Sequence, residues 1–416
     1  MTPSRRPASP NYTARRILFG FVAVLLLVVV VGAVAWAVAG PVSALLDPAA
    51  TAPAPRTGVA VVPDTAATSD PAHVSTAATE TPSSAASSAA ASETSAPASV
   101  TIASVGDMMF GRGVADYIRS NGGKALFSKV AGALNEADLT LGNLEGPLAR
   151  GGTAAAGKDV TLLGDPKAIA GLTSAGFDAV GLANNHALDF GEPALRATLT
   201  LLDDAGIAHS GAGMHWAEAR KPAALKANGA RVAFLSFSEI IPDGFAATDS
   251  KPGIARARQR MDQVQASIRD AKKAHDYVVV MFHWGVEYKP DANSDQRADA
   301  HKAVDAGADL VLGAHPHVVQ GLESYKGRLI AYSLGDFVFD HYSRATGETV
   351  VLEIEMPSAG PPSFRITPVY LSESHGIPHV VTGAEAGSIL RRISGFSADL
   401  GLQLTVTDDR AVFSAP

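Results

Sequence analysis

The sequence predicts an α/β fold, and three observations support this prediction. Strand-like runs alternate with helix-like runs over most of the chain after residue 99. The strand-like runs are largely apolar, which is typical of sheets covered on both faces. Polar side chains follow directly after several of these runs. Because ligands of α/β sheets bind at the carboxyl ends of the strands, these side chains mark the predicted functional edge.

The N-terminal region predicts a membrane anchor. Residues 17–39 are an unbroken apolar stretch, which at about 1.5 Å per residue can span a membrane as a helix. Four arginines precede it, and the first charge after it is Asp47. The positive-inside rule therefore predicts a cytoplasmic segment 1–16, a single-pass helix in the cell membrane and an extracytoplasmic remainder. The alternative is a cleaved signal peptide, because Ala35-Trp36-Ala37 resembles a cleavage site.

The next segment, residues 40–98, consists almost entirely of Ala, Ser, Thr, Pro and Val. This composition cannot bury enough apolar surface to form a core, so it predicts a disordered linker. We expect one folded domain at residues 99–375, followed by a C-terminal extension at 376–416 that packs on it.

Composition excludes several classes of site. The formal net charge is -7, and no basic stripe interleaved with aromatic residues is present, which argues against nucleic acid as a partner. The chain has no cysteine, so disulfides, thiolate metal sites and cysteine nucleophiles are excluded. A metal ion would have to bind His, Asp, Glu or Asn.

The predicted elements follow in a regular order after the linker. Strands are predicted at 100–105, 138–141, 177–182, 207–210, 231–237, 277–282 and 309–312, and helices at 126–134, 166–175, 193–205, 261–274 and 296–306. Three later strands, at 328–333, 349–356 and 364–371, have no helices between them. We expect these to form an antiparallel or mixed second part. A further helix and strand are predicted after Gly383.

Five of the predicted strands end in side chains that can bind a metal ion. The clearest case is His315-Pro316-His317, where two imidazoles follow an apolar strand and a tight turn. The other strand ends contribute Asp107, Asn143, Glu145, Asn185, His186, His283 and Glu287. Each alone can be explained as a cap, a turn residue or a hydrogen-bonded histidine. Their recurrence at five strand ends favours a shared site.

This donor set indicates a particular metal chemistry. Histidines mixed with carboxylates and carboxamides suit two divalent ions of Mn, Fe or Zn, whereas purely oxygen cages suit Mg or Ca. Two such ions can hold a hydroxide and polarise a phosphoryl or acyl group, while a further histidine protonates the leaving group.

Six motifs carry a resemblance to a known family. In order they read GDMMFGR from Gly106, GNLEG from Gly142, ANNHALDFG from Ala183, FHWGVEY from Phe282, GAHPHV from Gly313 and YSLGDF from Tyr332. This set resembles the CapA family of capsule and poly-γ-glutamate synthesis proteins, which are related to calcineurin-like metallophosphoesterases. The resemblance covers residues 99–371, and the predicted membrane anchor also fits this family.

The resemblance implies a metallophosphoesterase-like four-layer sandwich of two mixed sheets flanked by helices. It also implies roles for individual residues. The metal ligands would be Asp107, Asn143, Glu145, Asn185, His283, His315 and His317. His186 would be the general acid, acting with Asp107 as the catalytic pair. Arg112, Glu287 and Asp189 would face the substrate or support the ligands.

Two departures from the family pattern affect these roles. Metallophosphoesterases normally have a histidine two residues after the first aspartate, where this chain has Met109. Their bridging aspartate is replaced here by the pair Asn143 and Glu145. Asp336 also stands where this family has asparagine, and it is equally well explained as a turn residue.

Two functions therefore remain open. In the first, the domain is a metal-dependent hydrolase or transferase acting on an anionic capsule polymer or a phosphorylated envelope substrate. In the second, it is a noncatalytic subunit that binds or exports the polymer together with other membrane synthase subunits. The histidines favour the first function, whereas Met109 and the altered bridging position at Asn143 and Glu145 favour the second.

Overall fold

The fold was analysed in a computed structural model that describes residues 99–407 and 409–413. The predicted cytoplasmic segment 1–16, transmembrane helix 17–39 and linker 40–98 lie outside the described residues. In the part of the chain that the structure describes, no helix is long and apolar enough to cross a membrane.

The elements are numbered in chain order. The helices are α1 Arg112–Asn121, α2 Ala131–Leu134, α3 Ala168–Ser174, α4 Gly191–Asp204, α5 Trp216–Ala219, α6 Met261–Ala274, α7 Ser294–Ala306, α8 Arg344–Gly347 and α9 Gly383–Asp399, with a 3-10 helix at Gly123–Phe127. The strands are β1 Val100–Met108, β2 Leu139–Leu144, β3 Ala179–Gly181, β4 Ala208–Ser210, β5 Ala212–Gly213, β6 Ala223–Ala227, β7 Ala230–Ser238, β8 Gly253–Ile254, β9 Tyr277–His283, β10 Leu310–Ala314, β11 Leu322–Tyr325, β12 Arg328–Ala331, β13 Asp336–Val338, β14 Glu348–Met356, β15 Ser363–Leu371, β16 Pro378–Val380, β17 Thr405–Val406 and β18 Ala411–Phe413.

The larger sheet, called the first sheet below, is mixed. Its strands run in the order β17-β18-β15-β14-β1-β2-β3-β4, with β13 paired to β1 and β16 to β15. Strands β1, β2, β3 and β4 are parallel, while β14 and β15 are antiparallel to their neighbours. The carboxyl ends of β1, β2 and β3 therefore meet along one edge.

The second sheet has the strand order β11-β12-β10-β9-β7-β6. Its central strands β7, β9, β10 and β12 are parallel, and β6 and β11 are antiparallel edges. Ala314 of β10 lies beside His283 of β9, so both strands end at the same level. A two-stranded sheet of β5 and β8 completes the described strands.

Three clusters of buried residues hold these layers together. One cluster joins the two sheets, since it contains Ile102 and Leu141 of the first and Val279 and Leu310 of the second. The neighbouring residues of β9, such as Val280, belong instead to a cluster under α6 and α7. A third cluster packs α1, α3 and α4 on the other face of the first sheet. The prediction of two mixed sheets flanked by helices is confirmed.

Most predicted elements are confirmed, with two corrections. The late strands do not form a separate second part, because β12 joins the second sheet and β14 and β15 join the first. The predicted helix at 126–134 is broken into a 3-10 turn and the short α2, and α1 was not predicted. The C-terminal residues are integrated as well, since Ile389 and Ile393 of α9 lie in the core between the sheets and β18 pairs with β15.

Glycine allows the close packing of backbone at the strand that carries the first motif. Gly106 lies in β1 where β13 pairs with it, and a Cβ atom at Gly106 would lie 1.8 Å from the carbonyl oxygen of Gly335. Real Cβ contacts are not this short, so only glycine lets the two strands approach. The next residue of β1 is Asp107, paired in register with Asp336 of β13.

Candidate metal centre

The first sheet places oxygen-bearing side chains at its functional edge. Asp107 lies at the end of β1, Asn143 at the end of β2 and Glu145 immediately after it. Asn184, Asn185 and His186 follow β3, as predicted from the sequence. Asp107, Asn143 and Glu145 are each at most 1% exposed. These groups therefore lack the water that would otherwise solvate them.

The second sheet places imidazoles at the same edge. His283 ends β9, and His315 and His317 follow β10 directly. Both His315, with φ of 95°, and His317, with φ of 57°, have left-handed backbones. Such backbones cost free energy for residues other than glycine and recur at functional sites. The rings of His283 and His315 have centroids 4.8 Å apart, so the two strands bring their histidines together.

Asp107 connects the two sheets. Its Oδ1 accepts a hydrogen bond of 2.7 Å from the Asn143 carboxamide, and its Oδ2 accepts one of 2.9 Å from the backbone N–H of His315. The oxygen of Asn143 accepts in turn from Asn184, at 3.2 Å. Asp107 is thus fixed in position by both halves of the site.

Glu145 lies among three histidines. Its Oε1 is 3.8 Å from Nε2 of His186 and 4.0 Å from Nε2 of both His283 and His317. These separations are too long for hydrogen bonds. The separation between Glu145 and His317 is compatible with two ligands that share an ion, because each ligand atom then lies about 2.0–2.2 Å from the metal.

Unpartnered polar atoms test whether this cluster suits a metal. Both carboxylate oxygens of Glu145 and the Nδ1 atoms of His283 and His315 are buried without a hydrogen-bond partner. Buried polar atoms are normally paired, and leaving one unpaired costs about 1–3 kcal/mol. Four such atoms in one cluster, all of types that bind divalent transition metals, fit a metal site.

Three overlapping ligand sets can be drawn within this cluster. In each, one ligand atom per residue lies within 4.8 Å of the others. The sets are Asp107 with Glu145 and His283, Asp107 with His317 and Asp336, and Glu287 with His315 and His317. Asp107 and His317 each belong to two sets, so neighbouring ion positions would share ligands.

Burial favours the uncharged forms of the groups in the cluster. It raises the pKa of Asp107, and burial followed by the charge of Asp107 raises the pKa of Glu145 well above its usual value. Burial, together with neighbouring histidines, lowers the pKa of His283 well below normal and that of His315 to about 3. Both imidazoles are therefore neutral at pH 7 and keep a lone pair for a metal.

His317 differs from the other two histidines because it faces carboxylates. Burial opposes its charged form, but Asp336, Glu145 and Asp107 together raise its pKa well above normal. Its Nδ1 lies 2.8 Å from Oδ1 of Asp336. A carboxylate in this position orients a ligand histidine and leaves Nε2 free. Asp336 is 2% exposed and belongs to the site, which its interpretation as a turn residue did not anticipate.

His186, the predicted general acid, is held by Asp189. Its Nδ1 lies 2.6 Å from Oδ2 of Asp189, which leaves Nε2 facing Glu145. Asp189 is fully buried and also accepts a hydrogen bond from the backbone of Leu162. Burial lowers the pKa of His186. The structure thus places Asp189 behind His186, and its role toward substrate stays a prediction.

A cavity of about 420 Å³ opens beside the cluster. Arg112 and Glu287 line it, as do Asn185, His186 and His317. Arg112 is paired with Asp340 at 2.8 Å. The cavity is also lined by Lys158, Tyr288 and Tyr342, which the sequence did not single out. Lys158 belongs to an irregular segment between β2 and α3, so no strand end or motif marked it.

The remaining candidate ligand positions, Asn185 and Met109, make other contacts. The carboxamide oxygen of Asn185 accepts from Nε2 of His283 at 2.8 Å, which leaves Nδ1 of His283 with the lone pair. Met109 is fully buried, and its Sδ accepts a contact of 2.9 Å from the backbone of Gly111. The departure at Met109 therefore removes a ligand from the first motif. The metal roles of Asn143 and Asn185 stay predictions.

The sequence itself matches a known family. Residues 101–341 match the family described as bacterial capsule synthesis protein PGA_cap. The chain belongs to this family. The matched segment runs from β1 to just beyond β13 and contains every residue of the three candidate ligand sets.

Curated relatives extend this family match. The chain is 33% identical over 292 residues to the PGA biosynthesis protein CapA of Bacillus subtilis (strain 168), covering 70% of this chain and 76% of that protein. It is 33% identical over 290 residues to the capsule biosynthesis protein CapA of Bacillus anthracis, covering 68% and 70%. The predicted membership of the CapA family is thus confirmed.

A solved structure also shows similarity. The crystal structure of the protein TT1561 of Thermus thermophilus is 13% identical, with a TM-score of 0.36, and covers 62% of this chain and 99% of that chain.

Proposed function

We propose that this protein is a metal-dependent hydrolase or transferase of capsule or poly-γ-glutamate biosynthesis. The observation that carries the proposal is the group of four buried, unpartnered ligand atoms on Glu145, His283 and His315. The names of the two Bacillus relatives support the capsule and polyglutamate context. In this proposal the fold is a metallophosphoesterase-like four-layer sandwich.

The proposed centre contains two divalent ions of Mn, Fe or Zn. Asp107, Glu145, His283, His315 and His317 would hold them, with Asn143 and Asn185 as further ligands. When bound, such ions supply an activated hydroxide and polarise the phosphoryl or acyl group under attack.

The protein's own residues would transfer a proton from the attacking water to the leaving group. Asp189 holds His186 through Nδ1, so that Nε2 points toward Glu145 and the cavity. Because burial lowers the pKa of His186, its imidazole is neutral before reaction and can accept at Nε2 the proton that the attacking water loses. It then donates this proton to the leaving group. Asp336 keeps His317 oriented throughout.

The proposed cellular setting follows from the N-terminal sequence. A helix at 17–39 would hold the protein in the cell membrane, with the domain extracytoplasmic and tethered by the linker. The substrate would be an anionic capsule polymer or a phosphorylated envelope compound. Other membrane synthase subunits are the proposed protein partners.

A second candidate function is a noncatalytic polymer-binding or export subunit. The observation that favours it is Met109, which stands at a ligand position and binds the backbone of Gly111 instead. Such a protein would keep the fold and the cavity without turnover.

Metal analysis separates the two functions. Purified protein is dialysed without chelator, and its metal content is measured beside His283→Ala and a control, His275→Ala. His275 lies just before β9, at the opposite end of the strand from His283. Two metal equivalents in the parent and the control, with fewer in His283→Ala, would support the enzyme and justify screening phosphoesters and γ-glutamyl polymers. Metal near zero after addition of Mn or Zn would contradict the enzyme.

A further inference from the structure

Lys158 occupies an unusual place for a lysine. Its ammonium lies beside the metal cluster and lines the cavity, and its side chain is only 17% exposed. It also lies over the ring of Phe245, at 5.4 Å from the centroid. Burial removes water from a charged lysine and costs free energy, which its remaining contacts must offset.

The hydrogen bonds of Lys158 can be counted. An ammonium has three N–H donors. One donates to the backbone oxygen of Asn185 at 2.5 Å, and a second donates to Oδ1 of Asp189. The third neighbour is Nδ1 of His186 at 3.0 Å.

That third neighbour cannot accept. Nδ1 of His186 lies 2.6 Å from Oδ2 of Asp189, and a nitrogen and a carboxylate oxygen this close share a proton. A ring nitrogen that carries this proton has no lone pair left for Lys158. One N–H of Lys158 therefore has no acceptor among these three neighbours, and Lys158 lines the cavity.

The position of the spare donor is fixed from two sides. The segment that carries Lys158 is held by hydrogen bonds from Ala155 and Leu162 to Asp189, at 2.8 and 2.7 Å. By contrast, Nε and Nη2 of Arg112, the other cation of the cavity, both bond to the same oxygen of Asp340, at 3.1 and 2.8 Å. Lys158 is thus the cavity cation whose ammonium lies against the proposed general acid.

We propose that Lys158 binds an oxyanion of the substrate and selects for an anionic chain. This inference rests on the proposed function and deepens it, since it assigns the residue that recognises the negative charge. In a γ-linked glutamyl chain the oxyanion is the free α-carboxylate of each unit, and in a phosphorylated substrate it is a phosphate oxygen. Charge-assisted hydrogen bonds of this type are stronger than neutral ones.

Binding to metal-free protein tests the proposal separately from catalysis. The probes are a γ-linked glutamate trimer, its uncharged α-carboxamide analogue and inorganic phosphate, measured by calorimetry in chelator. Lys158→Met is compared with Lys158→Arg and with Lys167→Met, an exposed lysine on the same segment. We expect Lys158→Met to bind the trimer about tenfold or more weakly. Lys158→Arg should stay within a few-fold of the parent, and Lys167→Met should equal it.

The ratio between trimer and carboxamide analogue is the decisive reading, because a purely structural role would change binding of both. Lys158→Gln, which keeps polar donors, replaces Lys158→Met if that variant does not fold. A loss with the trimer identifies a carboxylate site, and a loss with phosphate alone identifies a phosphate site; both support the proposal. Variants that bind both the trimer and phosphate as the parent does, or that lose the trimer and its carboxamide analogue equally, would overturn it, as would no binding of either anion by the parent. Turnover with added metal is recorded independently, so absence of catalysis leaves this result standing.

Discussion

The two sheets contribute different chemistry to one cluster. The strand ends of the first sheet supply mainly oxygen atoms, from Asp107, Asn143 and Glu145, and His186 is its contribution of nitrogen. The second sheet supplies the imidazoles of the HxH segment and of β9. The two ligand sets that contain Asp107 each combine atoms from both sheets.

The difference shows that the site depends on the packing between sheets. Imidazoles suit transition metals, whereas carboxylates and carboxamides without imidazoles suit Mg, Ca or Mn. The buried cluster that includes Ile102 and Val279 holds the two edges together. A hydrogen bond of 2.9 Å from the backbone N–H of His315 to Asp107 then joins the two edges.

The largest loss of metal affinity is expected from removing an imidazole that the second sheet supplies. His283→Ala deletes a ligand from β9 and leaves the oxygen half intact. We expect metal affinity to fall by more than about 100-fold, because even residues that only support ligands account for 10–100-fold. Turnover and polymer production should be lost with the fold retained. His275→Ala is the matched control. Normal metal content in His283→Ala would contradict the claim that the second sheet supplies ligands.

Removing a carboxylate that the first sheet supplies should weaken metal binding but stabilise the metal-free protein. Glu145→Gln keeps the shape but removes a buried carboxylate that has no hydrogen-bond partner. We expect weaker metal binding, and an increase on the order of 1 kcal/mol in the unfolding free energy of the metal-free protein. Metal titration and thermal unfolding in chelator measure the two effects. A less stable metal-free variant would show that Glu145 is satisfied without a metal.

A smaller effect is expected where the halves meet. Asp336 of the first sheet orients His317 of the second through a bond of 2.8 Å to Nδ1. Asp336→Asn should weaken metal binding by about 10- to 100-fold, because the proposed ligands all remain but His317 loses the carboxylate that orients it. Asp340→Asn, two residues after β13 and paired with Arg112, should leave metal affinity unchanged. Equal affinities for Asp336→Asn and the parent would remove Asp336 from the site.

The smallest effect concerns stability at the end of β7. Burial, followed by Asp299 and Asp295, raises the pKa of Glu239 from 4.5 to about 8. The folded protein therefore binds this proton more tightly than the unfolded chain, so the unfolding free energy should fall as pH rises from about 4.5 to about 8. Glu239→Gln should flatten this dependence, measured by denaturant unfolding in chelator. Asp243→Asn is the exposed control, and identical pH profiles for parent and Glu239→Gln would contradict the assignment.

The sequence predicted the residues at strand ends better than those in the irregular segments that connect the elements. Apolar runs such as β9 are unambiguous because burial on both faces requires them, and His283 follows from its position at the end. The irregular segment containing Lys158 has no periodicity, so its approach to His186 depends on tertiary contacts alone. The role of Asp336 depends on the pairing of β13 with β1, two strands more than 200 residues apart in sequence.

The late strands β12, β14 and β15 were misassigned for a related reason. Absence of intervening helices indicates hairpins, but it does not indicate which sheet a strand joins. Strand β12 runs parallel to β10, while β14 pairs with β1, so the late strands are divided between the sheets. Only the long-range pairing decides this.

The contact at Gly106 has a consequence for classifying related sequences. A methyl group there would collide with the backbone of Gly335, one residue before Asp336. It would displace the strand that carries Asp336 although every ligand remained in the sequence. A relative that keeps all the histidines and carboxylates but has a larger residue at the position of Gly106 should therefore be regarded as a candidate for lost metal binding. An inventory of ligands alone would count it as active.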